Sequence, residues 1–140
     1  MTKNQKATMA HGDLMAIYEA LDRVQAIIEF NLDGTIVSAN QNFLDIFGYE
    51  LDEVVGQHHR MFCEESYASS KAYAEFWKKL GRGESDAAEF KRLGKDGKEF
   101  CLQASYNPVL DDEGNPVRVI KFATDVTKDT LQIAVYEGMV

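Results

Sequence analysis

Cysteine is scarce in this chain, with two in 140 residues, and Cys63 and Cys101 lie far apart. That excludes a disulfide-stapled scaffold, and reduced thiols are the expectation. Long apolar runs are missing: nothing approaches the roughly 18 residues of a membrane helix. The opening "MTKNQKATMAHGD" is polar and carries no signal-peptide pattern, so a cytoplasmic protein without membrane insertion is expected. Basic charge is short as well. Lys and Arg number 15 against 23 Asp and Glu, a net charge of −8, and the basic residues are scattered in small clusters such as "KRLGK". An acidic surface repels phosphate backbones and argues against a nucleic-acid partner. No internal repeat with a period of roughly 20–50 residues is visible, which removes solenoids and propellers.

What is present is an ordinary globular balance, with 45% hydrophobic and 27% charged residues, which favours neither disorder nor a membrane. The length suits one domain with a core of its own. Residues 1–12 read as a loose leader. Residues 13–25 follow as an amphipathic helix, with Asp13 as its expected N-cap and Leu14, Ile17, Leu21 and Val24 forming one narrow stripe. Such a stripe calls for a partner, and a homodimer through this helix is expected.

"AIIEFNLDGTIVSAN" reads as a hairpin turning at Gly34, and "QNFLDIFGY" as a short helix stopping at Gly48. "SYASSKAYAEFWKKLGRGE" is a longer helix with Tyr73, Phe76, Trp77 and Leu80 on its apolar face. Three strand candidates follow, "SDAAEFKRLG", "KEFCLQASYNPVL" and "VRVIKFATDV", joined by "KDGK" and "DDEGNP" turns. Strands at both ends with helices between describe an α+β domain with one antiparallel sheet. Residues 128–140 show helical spacing at Leu131 and Val135 and read as an exit helix or tail.

The stretch with the most chemistry is "VVGQHHRMFCEESY", residues 54–67, which holds two of the three histidines. His59 and Cys63 have the spacing of two zinc ligands on one helical face, but a structural site needs four ligands and a catalytic one three. A thiol nucleophile beside its base is a second reading, but no oxyanion motif or orienting third residue accompanies the pair. An enzyme and a metal centre are therefore not expected.

The order of elements and the motifs "IIEFNLDGTIVSANQNFLDIFGYELDEVVGQ" and "KRLGKDGKEFCLQASYNPVLDDEGNPVRVIKFATDVT" resemble a PAS domain over residues 26–127. The phrases "HHRMFCEESY", "FWKKLGRGE" and "KFATDVT" resemble the PAS units of cytoplasmic bacterial chemotaxis receptors of the biofilm-dispersion and energy-taxis kind. The resemblance implies a five-stranded antiparallel sheet with short central helices over one face. It implies a sensor that holds a small ligand or redox cofactor in its core. The change passes to a downstream signalling domain of a longer protein through Asp125 and Thr127 and the exit helix. The alternative is a cofactor-free dimerisation or interaction module.

The cofactor stays open between haem, FAD and none. Haem would take His58 or His59 as iron ligand. Haem-binding relatives place their histidine where Ser70 to Tyr73 stand here, and a tryptophan where Ala123 stands. FAD would use Asn40 for the ring edge and Trp77 for the wall. Flavin-binding relatives carry Arg-His at Cys63-Glu64 and a tryptophan at Asp86. Each of the four also has a structural reading: Asn40 as a turn former, Trp77 as core, and the two histidines as a polar turn with one ring buried.

Overall fold

Helical spacing and strand alternation divide the chain, and a computed structural model, which describes residues 10–128, follows both patterns. Helix α1 (His11–Val24) leads into the hairpin β1 (Ala26–Phe30) and β2 (Ile36–Ala39). Four short helical pieces come next: α2 (Gln41–Phe47), α3 (Leu51–Val54), a 3-10 turn (His59–Phe62) and α4 (Glu65–Ala68). Helix α5 (Lys71–Gly81) precedes β3 (Asp86–Leu93), β4 (Glu99–Leu110) and β5 (Pro116–Asp125). The leader up to residue 9 and the expected exit helix from residue 129 lie outside the described residues.

All five strands form one antiparallel sheet in the order β2-β1-β5-β4-β3. This is the α+β arrangement expected from the sequence. The helical segments from α2 to α5 connect one edge strand to the other. Strand alternation shows where they pack: on β4, Phe100, Leu102, Ala104 and Tyr106 are buried, and Cys101, Gln103 and Ser105 are more open. They join Phe43, Phe47, Phe62, Trp77 and Leu80 of the helical layer in one core. Removing a fully buried side chain such as Leu80 or Leu102 would cost about 2–5 kcal/mol.

Turn chemistry sets the boundaries. Gly48 ends α2 in the left-handed region at φ 80°, its N–H returning to the Leu44 carbonyl at 2.8 Å. Gly34, at φ 90°, is required twice over, because a Cβ there would fall 2.5 Å from Nε2 of His58. The start of α1 differs from expectation. It begins at His11 behind Ala10, which offers no side-chain cap, and Asp13 sits inside the first turn. There its charge meets the positive end of the helix dipole instead of closing an N–H. None of the residues of α1 is buried, and Leu14, Ile17, Leu21 and Val24 are 38–72% exposed.

Candidate functional site

His58 and His59 are neighbours with opposite surroundings, and the backbone explains why. Residues 57–59 run extended beside the β1–β2 hairpin: Ile36 N–H donates to the Gln57 carbonyl at 2.8 Å and His59 N–H to the Gly34 carbonyl at 2.9 Å. Thr35 and His58 form an isolated bridge. Successive side chains of extended backbone point to opposite sides, so one ring turns toward the hairpin and the other into the core.

His58 locks the turn. Its Nε2–H donates to the Asp33 carbonyl at 2.7 Å, and Nδ1 accepts from the Arg60 N–H at 3.0 Å. A carbonyl can only accept, so the ring is the neutral Nε2–H tautomer. Partial burial lowers its pKa, and the nearby Arg60 charge adds to this against the opposing Asp33 carbonyl.

His59 is fully buried. Its Nδ1 lies 2.8 Å from the Tyr73 hydroxyl and its Nε2 2.9 Å from the Tyr106 hydroxyl. Tyr73 is aimed from the first turn of α5, where Ser70 caps its N–H. Tyr106 comes from β4, and its oxygen also accepts from Nη2 of Arg92 on β3 at 3.1 Å. In one consistent arrangement Arg92 donates to Tyr106, Tyr106 donates to Nε2, and Nδ1–H donates to Tyr73. The Cys63 sulfur sits 3.7 Å from Nδ1.

Aromatic rings close around this line. His59 meets Phe30, Trp77 and Tyr106 edge-on at centroid distances of 5.4, 5.4 and 5.6 Å, and Phe76 meets Tyr106 at 4.8 Å. The ammonium of Lys121, on β5 directly opposite Tyr106, lies 4.7 Å from the centre of that ring. Lys121 is 1% exposed and Arg92 3%. Two basic side chains are thus buried together, and among the described residues neither forms an ion pair.

Electrostatics follow from that placement. Burial, reinforced by Lys121 and Arg92, holds His59 well below its ordinary value, so the ring is neutral. Burial and then Arg92 push Lys121 far down as well. Burial raises Tyr106, Tyr73 and Cys63, which stay protonated.

Asn40 is elsewhere. It caps α2, and its Oδ1 accepts from the Phe43 N–H at 3.0 Å and the Ile27 N–H at 2.9 Å. Its amino group donates to the Gln25 carbonyl at 2.9 Å and to the Asp22 carboxylate at 3.0 Å. Trp77 packs among Phe30, His58, His59 and Phe76, and its buried indole N–H has no partner. Asp125 and Thr127 lie at the end of β5. Oδ1 of Asp125 accepts from the Thr127 N–H at 2.9 Å, and the Thr127 hydroxyl accepts from the Cys101 N–H of β4 at 2.9 Å.

So the fold brings His58, His59 and Trp77 together and leaves Asn40 at the base of α1. Haem needs an imidazole nitrogen free for iron, and both nitrogens of both histidines are committed. A flavin edge needs an open amide, and that of Asn40 is used in full. As arranged, these residues do not fit either group. Among the described residues no cluster of metal-ligating side chains occurs, and no helix is long and apolar enough to cross a membrane.

A family model described as the PAS fold matches residues 36–123, well over half of the chain. The chain belongs to the PAS family. It is 45% identical over 107 residues to the biofilm dispersion protein BdlA of Pseudomonas aeruginosa, covering 76% of this chain and 26% of that protein. It is 30% identical over 80 residues to the aerotaxis receptor of Escherichia coli, covering 57% and 16%. This PAS chain therefore spans about a quarter or less of the curated relatives it matches. A light-oxygen-voltage domain studied with a flavin analogue superimposes with a TM-score of 0.69 at 28% identity, covering 89% of this chain and 94% of that one. A PAS domain from Colwellia psychrerythraea gives 0.70 at 22% identity, covering 82% and 98%, which bears on the fold alone. The protein is thus a PAS sensory domain related to chemotaxis and aerotaxis receptors, a signalling module and not an enzyme.

Sequence reasoning missed Tyr106, Arg92 and Lys121 as site residues. The signal was parity. Lys121 alternates in step with Val119 and Ala123, and Tyr106 with Leu102 and Ala104, which places both on the buried face.

Proposed function

We propose that this PAS domain is the input unit of a larger cytoplasmic signalling receptor. It binds a small, uncoloured ligand at the Arg92 end of the buried His59–Tyr106–Arg92 line. The observation that carries the reading is the placement of this network on the strands that lead to the exit. Tyr106 and Cys101 share β4, and Lys121 and Asp125 share β5. A ligand that re-pairs Arg92 or Lys121 shifts Tyr106, and the shift runs along two hydrogen-bonded strands to the Asp125–Thr127 junction. Trp77 and His59 pack behind the site, whereas Asn40 and His58 hold the surrounding elements in place. The parent protein supplies the downstream signalling domain.

The test is a visible spectrum and a native mass spectrum of gently purified protein, each repeated after dithionite. The reading predicts no Soret or flavin band and a small bound molecule in the mass spectrum. A Soret band lost in His58→Ala or His59→Ala, or a yellow band sensitive to Asn40 and Trp77, would overturn the ligand class.

A second feature favours self-association, whatever the ligand. The stripe Leu14-Ile17-Leu21-Val24 of α1 faces outward, as the seam of a helix pair does. Sedimentation of the full chain against one starting at residue 26 decides it. An unchanged dimer removes α1 from the interface.

A further inference from the structure

A buried guanidinium without an acid beside it is costly, by several kcal/mol in the absence of relaxation. Folded proteins keep such an arrangement where something else supplies the opposite charge. The neighbours of Arg92 show where that charge would sit. Its Nη1 donates to the Lys91 carbonyl at 2.8 Å and its Nη2 to Tyr106, but its buried Nε has no partner among the described residues. The fork that guanidinium uses to grip a carboxylate is half empty.

Arg92 is also the floor of a depression of about 320 Å³ between α4 and β3, bounded by Glu64, Tyr67, Glu89, Phe90 and Lys91. The guanidinium carbon lies 4.9 Å from the Phe90 ring centre and 5.8 Å from that of Tyr67, so two aromatic faces flank the charge. The rim sets the charge of a ligand. Glu64 shares Lys91 (2.7 Å) with Glu99 (3.0 Å), and Glu89 forms no ion pair among the described residues. That carboxylate opposes a doubly charged phosphate ester more than a singly charged acid.

We infer that this depression receives a small monocarboxylic acid with a flat apolar body, its carboxylate on Arg92 and its body between Tyr67 and Phe90. The inference rests on the sensory reading above and gives its ligand a charge and a shape.

The experiment titrates the full chain with benzoate, phenylacetate and indole-3-acetate, each paired with its neutral amide. Backbone amides and the arginine Nε–H resonances are followed by NMR. At least one acid, and none of the amides, is expected to shift the Arg92 Nε–H together with the Cys101 and Thr127 amides. Arg92→Met, checked for fold by circular dichroism, should weaken that acid at least about tenfold, and Arg92→Lys should weaken it less. Equal binding of acid and amide, unchanged affinity in Arg92→Met, or no binding by any of the acids overturns the inference. The acid–amide comparison in the unaltered chain decides the matter even if a variant does not fold. The two readings fail differently. If the acids fail but a molecule purified with the protein shifts Cys101 and Thr127, only the carboxylate is lost. If those amides respond to nothing, the sensory reading falls too.

Discussion

Two polar networks, one half-buried around Asn40 and one buried around His59, serve this domain, and they are built on opposite terms. Around Asn40 every group is matched: its oxygen holds the Ile27 and Phe43 N–H groups, and its amino group holds the Gln25 carbonyl and the Asp22 carboxylate. Asn42 doubles the tie, donating to the Asp22 and Gln25 carbonyls at 2.9 and 3.1 Å. The network around His59 satisfies its histidine, but it buries two basic side chains and, among the described residues, leaves an arginine Nε–H and an indole N–H unmatched. A fully matched network fixes geometry and yields only stability. One with spare donors and uncompensated charge can still change its partners, and that is what a sensor requires.

The contrast breaks most visibly at the clasp. Asn40→Ala strands two backbone N–H groups and frees the base of α1, and a loss of about 2–4 kcal/mol is expected by chemical denaturation. A change under 1 kcal/mol would remove the clasp from the account.

The core should respond in the opposite direction. Lys121→Met keeps the volume and removes a buried amine whose protonated form burial disfavours, so a gain of about 1–2 kcal/mol is expected. Its pH dependence sharpens the point. The folded pKa of Lys121 lies well below its ordinary 10.5, so the unfolded chain binds a proton that the folded chain releases. Stability then rises as pH climbs toward 10.5 and is lost as pH falls, and Lys121→Met should flatten that slope. His59 acts in a lower window by the same sign: its pKa is held well below 6.5, so stability drops as acid is added beneath that value.

The smallest effect belongs to the exit. Thr127→Ala removes the acceptor of the Cys101 N–H and should cost about 1 kcal/mol. Its signature is faster amide exchange at Cys101 with the Asn40 clasp undisturbed.

Much of the fold was legible because its signals are local. Glycine marked the end of α2, and the turns "KDGK" and "DDEGNP" marked the two ends of β4, whose buried face was not read. The start of α1 was misplaced because Asp13 looks like a cap, whereas the helix begins earlier behind Ala10. The site was legible only in part. The histidine pair stood out, but which ring faces inward is set by the Thr35–His58 bridge, a contact between distant segments. Arg92 was hidden in "KRLGK", which reads as a surface cluster until the parity of β3 is known. That Tyr106 joins Arg92 to His59 depends on packing three separate elements together, which no local spacing encodes.

The most direct test of the account is amide hydrogen exchange in the unaltered chain and in Tyr106→Phe, which loses the hydroxyl linking His59 to Arg92. Four amides report it. Cys101 and Val126 are bonded across the exit junction, and Ile27 and Phe43 are held by Asn40. The account predicts faster exchange at Cys101 and Val126 with Ile27 and Phe43 unchanged. Equal acceleration at all four, or none at the exit pair, would contradict the claim that the core network is read out through β4 and β5.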